Sequence, residues 1–97
     1  RGLYCSSRKV VVEVRFRSKF KKQYAKLPLS IKRHVADRIQ LLIEDPTAYL
    51  LNVHSLKGKY AGYWSINISG DLRAIYTYKG DTIIVFLLIG THSQLYG

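Results

Sequence analysis

The sequence predicts an α+β domain: two antiparallel helices packed on one face of a four-stranded, mainly antiparallel sheet, in the order β-α-α-β-β-β. Three observations carry this. Apolar residues recur at spacings of three and four from residue 20 to 43, the period of a helix, and at spacings of two from residue 64 to 76, the period of a strand. A lone proline and an Asp-Pro pair cut the helical part into two pieces. A chain of 97 residues buries one core, so both patterns share it in a single domain over 1–97, with a ragged stretch at 1–9.

The elements follow in order. VVVEVRF at 10–16 is β-branched and partly alternating, and reads as a first strand. Ser18 is positioned to cap a short helix carrying Phe20, Tyr24 and Leu27 on one face, which Pro28 ends. Ser30 is the cap expected for a longer helix with Ile31, Val35, Ile39, Leu42 and Ile43 on its stripe, stopped at Asp45-Pro46. Lys19, Lys21, Lys22, Lys26, Lys32, Arg33 and Arg38 fall on the outward sides, and His34 flanks the stripe as a solvated residue.

After the connector YLLNVHSLKGKYAG the period changes to two. Trp64, Ile66 and Ile68, then Leu72, Ala74 and Tyr76, are expected to face the helices across a Ser-Gly-Asp turn. Ser65, Asn67 and Arg73, with Asp71 entering beside them, then share an opposite face that is polar and uncovered. A turn at Lys79, Gly80 and Asp81 leads to TIIVFLLIG, apolar at consecutive positions as a central strand covered on both faces is.

Charge narrows the function. Sixteen Lys and Arg against six Asp and Glu leave +10, which points to a polyanionic partner such as nucleic acid or an acidic protein segment. The basic residues spread along the chain instead of lining one amphipathic helix, which argues against a membrane surface. The longest apolar run, IIVFLLI, is too short to span one. Cys5, the one cysteine, can form no internal disulfide, and with no secretory signal at the start the expected compartment is the cytoplasm.

His34, His54 and His92 lack ligand spacing, so no metal site is expected. GKYAG lacks the Gly-Lys-Ser/Thr ending of a phosphate loop, no serine nucleophile elbow occurs, and no cofactor is implied. What remains is His54 and His92 with Asp71, Arg73, Lys57, Lys59 and Tyr96. Cleaving RNA through its own 2′-hydroxyl needs a base, an acid for the leaving 5′-oxygen, and positive charge on the phosphate. Imidazole serves as acid or base near neutrality. Arginine grips phosphate bidentately, aspartate orients an imidazole, and tyrosine stacks on an unpaired base.

HSLKGKYAGYWSINISGDLRAIY followed by IGTHSQLYG resembles the RelE/ParE superfamily of type II toxin–antitoxin toxins, and within it the YafQ-like mRNA interferases. The resemblance runs from about Val12 to Gly97 and rests on His-x-Leu-x-Gly and Gly-Thr-His-x-x-Leu-aromatic on either side of a hairpin. It implies an endoribonuclease that cuts mRNA on the ribosome and is held in a hetero-oligomer by an acidic antitoxin. It implies His54, Asp71 and His92 as catalytic, with Tyr96 in place of a family aromatic. Arg73 resembles the arginine with which RelE holds the scissile phosphate. Lys57, Lys59, Asn67 and Tyr96 are the expected substrate-binding residues. Asn67 stands where YafQ has a histidine, and asparagine can bind but not transfer protons. Two alternatives stay open: a non-catalytic RNA- or antitoxin-binding member, and a ParE-like inhibitor of DNA gyrase.

Overall fold

The computed structural model describes residues 13–80 and 82–96, with the side chains of His92 and Tyr96 excluded. Residues 1–12, which include Cys5 and the expected start of the first strand, lie outside it, as do Asp81 and Gly97. The strands are β1 (Glu13–Phe16), β2 (His54–Ser55), β3 (Trp64–Ser69), β4 (Leu72–Lys79) and β5 (Ile83–Thr91). The helices are α1 (Ser18–Ala25), α2 (Leu29–Glu44) and α3 (His92–Tyr96). The sheet runs β1-β5-β4-β3-β2, with β1 parallel to β5 and the remaining pairs antiparallel.

Two elements exceed the predicted order. His54 and Ser55 pair with Ser65 and Trp64, so the sheet has five strands instead of four. A two-residue strand is too short for any period to mark. The chain after β5 then turns into α3, where the sequence reading had only a strand ending.

Helix starts also differ. Ser18 and Ser30 lie inside α1 and α2, and the residues at the caps are Arg17 and Pro28, neither with a side-chain cap. Pro28 therefore opens α2 as much as it closes α1. Its fixed φ suits a helix entrance and its missing N–H removes a donor that would have no partner there.

The core lies between the helices and one sheet face. Phe20, Val35 and Leu42 meet Ile66, Ile68, Ala74, Tyr76, Ile84, Phe86 and Ile89, joined by Leu51 from the 3₁₀ turn Tyr49–Leu51. Phe86 is central, with ring centroids 5.7 Å from Phe16, 5.6 Å from Phe20 and 5.5 Å from Tyr76. Trp64, expected among these, stands 37% exposed at the start of β3, beside the edge strand. Beyond the end of β1, α1 serves the β5 backbone in place of a strand: the Ile89 N–H donates to Gln23 Oε1 at 2.9 Å. Arg38, expected to point outward, instead turns in and donates to the carbonyls of Ile68 and Leu50. It thereby satisfies a carbonyl at the irregularity between Asn67 and Ser69.

Candidate active site

The face away from the helices is less open than alternation predicts. Ile75, Val85, Leu95 and Ser65 are buried there, outside the helix-side cluster. Two segments roof it. The connector after β2 folds over as the 3₁₀ turn Gly58–Tyr60, and the Thr77 hydroxyl donates to the Gly62 carbonyl at 3.2 Å. From the other side α3 comes down on Gly90, where a Cβ would meet Gln94 Oε1 at 2.9 Å. The two roofs touch where the Tyr60 hydroxyl donates to the Leu95 carbonyl at 3.4 Å. A side chain at 90 would displace the Gln94 amide, whose Oε1 accepts from the Thr91 N–H at 2.9 Å, so glycine leaves that contact undisturbed.

Register places the expected residues. His54 opposes Ser65, which opposes Ile75, which opposes Leu88. The next rung on this face is Asn67, Arg73 and Gly90. Leu72 opposes Thr91, so the hairpin turn bearing Asp71 lies at the end of the sheet where His92 follows. His54 on β2 lies three strand spacings from β5, roughly 14 Å across the sheet, and level with Leu88, short of the end of that strand. No hydrogen bond joins backbone positions so far apart, and a group shared by both histidines must be reached by their side chains. His54, Asn67 and Arg73 therefore share a face, whereas Asp71 and the His92 backbone mark its far end. Lys57 and Lys59 are exposed on the connector, where the Lys59 ammonium lies 5.3 Å from the Tyr60 ring centroid.

The His54 ring is exposed and tethered to its own strand, with Nδ1 2.6 Å from the Asn52 carbonyl oxygen. A carbonyl only accepts, so Nδ1 carries the hydrogen and the lone pair of the neutral ring is on Nε2. Asn52 adopts the left-handed conformation, φ 47°, which turns that carbonyl back toward the imidazole. Arg73 is half-buried. Its Nη1 donates to Asn67 Oδ1 at 3.2 Å, while its Nε is buried with no partner. Neither the tether nor the Asn67–Arg73 bond is legible in the sequence. The strand parity that sets Asn67 opposite Arg73 is the nearest signal. His34 is exposed on α2, on the far side of the sheet. Among the described residues no three His, Cys, Asp or Glu side chains gather in a metal-binding group.

The fold places two helices on one face of a mixed sheet and a basic, histidine-bearing surface on the other. The model of the family described as the bacterial toxin of type II toxin–antitoxin systems, YafQ, matches residues 12–97. The chain belongs to this family. No curated protein matches the sequence. Among solved structures, YafQ from E. coli strain BL21(DE3) is similar at TM-score 0.70 and 24% identity, over 87% of this chain and 97% of that one. The YoeB/ParE toxin from Agrobacterium tumefaciens is similar at TM-score 0.72 and 21% identity, over 84% and 99%. The toxin–antitoxin complex RelB–RelE from Methanococcus jannaschii matches at TM-score 0.66 and 24% identity, over 84% and 94%.

Proposed function

We propose that this toxin is an endoribonuclease that cuts mRNA on the ribosome in the cytoplasm. The observation that carries the reading is the exposed His54, tethered through Nδ1 to the Asn52 carbonyl so that Nε2 is the ring nitrogen left for substrate, on the same sheet face as the half-buried Arg73. In this reading Nε2 takes the proton of the 2′-hydroxyl, and the 2′-oxygen forms a bond to phosphorus as the bond to the 5′-oxygen breaks. His92, at the far end of the face, gives that oxygen a proton. The products are a 2′,3′-cyclic phosphate and a 5′-hydroxyl. Arg73 holds the phosphate, Lys57 and Lys59 draw in the backbone, and Asp71 supports the His92 cation. Tyr96 stacks on a base.

Ribosomal RNA supplies the docking surface, because Lys19, Lys21, Lys22, Lys26 and Arg33 are exposed and make no ion pair among the described residues. Binding should weaken steeply with salt as counterions are released. The neutralising partner is an antitoxin protein, by analogy with the RelB–RelE complex, and the net charge of +10 calls for an acidic one. Its apolar docking surface is the groove of about 450 Å³ between α1 and α2, lined by Phe16, Phe20, Tyr24, Val35 and Ile39 with Lys21 at its edge. The groove is apolar inside and basic around, which complements an amphipathic acidic segment.

Mapping mRNA 5′ ends in a translation reaction tests the reading, with and without ribosomes, for the wild type and His54→Gln. Cleavage that needs both ribosomes and His54 is expected. Equal cutting of naked mRNA removes the ribosome from the scheme, and equal cutting by His54→Gln removes the base.

A further inference from the structure

Asn67 occupies a strand position directly across from Arg73, and the two side chains are joined by one hydrogen bond of 3.2 Å. We propose that Asn67 is a positioning residue that acts through Arg73, fixing the guanidinium for a phosphate instead of touching RNA itself. The proposal rests on the nuclease reading above.

The bonding state of the guanidinium points to this role. Nε is buried and lacks an acceptor, an unfavourable place for an N–H of a charged group. An arginine side chain has enough rotatable bonds to carry that group to water unless something restrains it. The Asn67 amide is the restraint. With Nε shielded and one N–H of Nη1 engaged, the remaining N–H groups of Nη1 and Nη2 are the ones left to meet an anion. The other side of the rung is closed as well, because Gly90 opposes Arg73 and α3 rests on it. The arginine is thus bracketed between the amide on β3 and α3 beside β5.

Fixed charge is what phosphoryl transfer rewards. A guanidinium already oriented toward the oxygens that gain charge stabilises the transition state without reorganising as the reaction proceeds. Asparagine suits the task because its amide oxygen accepts from arginine at any pH. An imidazole at the same position accepts only when neutral and repels the guanidinium when protonated. Asn67 and Arg73 therefore form one unit, and exchanging Asn67 for histidine alone disrupts it.

A double-mutant cycle decides the matter. Single-turnover cleavage on programmed ribosomes is measured for the wild type, Asn67→Ala, Arg73→Ala and the double variant, with thermal melting as the folding control. Asn67→Ala should slow cleavage about 10- to 100-fold, in kcat more than in KM, as expected when a catalytic group is misplaced. The double variant should cleave at the rate of Arg73→Ala, because Asn67 has nothing left to hold. Asn67→His, which fills the same space, should also slow the wild type. Losses that add in the double variant, or a faster Asn67→His enzyme, overturn the proposal.

A second arm does not depend on cleavage: binding of a 2′-deoxy single-stranded oligonucleotide as salt is raised. Arg73→Ala should reduce the salt slope by about one, and Asn67→Ala should change nothing further in that background. If the wild type leaves ribosome-bound mRNA intact, the nuclease reading fails and the cycle is read on this binding alone. Independent effects there overturn the coupling too.

Discussion

The two faces of the sheet are built on different principles. On the helix side, aromatic and branched side chains from α1, α2 and three strands close into one cluster, and Arg38 satisfies carbonyls at its edge. On the other side, among the described residues, the buried apolar residues are Ile75, Val85 and Leu95, and long hydrogen bonds from Thr77 and Tyr60 reach the roof. That side also keeps a buried, unsatisfied Nε. Stability is concentrated on one face, and the other spends some of it to hold charged and titratable groups near solvent. Substitutions should therefore separate into those that unfold the protein and those that silence it.

The largest separation is expected at the histidines. His92→Gln and His54→Gln should each lower cleavage by about 10² to 10⁴, the range for one general acid or base, with melting unchanged. A variant that loses activity only in proportion to its folded fraction would erase the contrast. Phe86→Ala is the mirror case. Removing the ring at the centre of the aromatic cluster should cost about 3–5 kcal/mol in denaturant unfolding. The protein that remains folded should cleave at the wild-type rate.

A smaller effect concerns alkaline pH. Burial pushes the Tyr76 phenol above its ordinary value near 10, with Tyr78 contributing, and burial raises Tyr78 as well. A raised pKa means that the folded state holds its proton where the unfolded chain gives it up. The contribution is thus complete below about pH 10 and is lost as pH rises above it. Melting temperature should fall above that pH, and Tyr76→Phe should flatten the fall. Tyr96→Ala should weaken cleavage or RNA binding by roughly 1–3 kcal/mol if the ring stacks on a base. His34→Gln, exposed on α2, should alter neither stability nor rate.

The helix-side face was the more legible in sequence. Period alone found Phe20, Val35, Leu42, Ile66, Ile68, Ala74 and Tyr76, because burial in a large core imposes regular spacing. It failed at Trp64, since an edge position next to a two-residue strand keeps its parity but loses its cover. It failed at Ser65, which the same parity put on an open face but which is buried. The roofing segments depend on the close approach at Gly90 and on left-handed turns at Asn52 and Gly58, none of which leaves a periodic trace. Of the candidate site, parity put Asn67 and Arg73 on one face; their direct pairing came from the register, and His54, read as part of a connector, lies on a two-residue strand that no period marks. The His54 tether could not be foreseen, because it depends on the backbone angle of Asn52.

The parallel pairing of β1 with β5 also governs when this protein comes into being. Glu13 meets Ile83, and Gln23 serves the Ile89 amide across 66 residues of chain. Contacts of such separation close a long loop before they return any stability, and chains rich in them fold slowly. During synthesis α1 and α2 emerge with their apolar sides bare, since the strands that cover them are made last. The sheet is complete only when β5 has left the ribosome, and the face carrying Asn67 and Arg73 is assembled in the same event. A nascent chain that lacks β5 therefore lacks that face, and an antitoxin present at that moment meets its partner before the face exists.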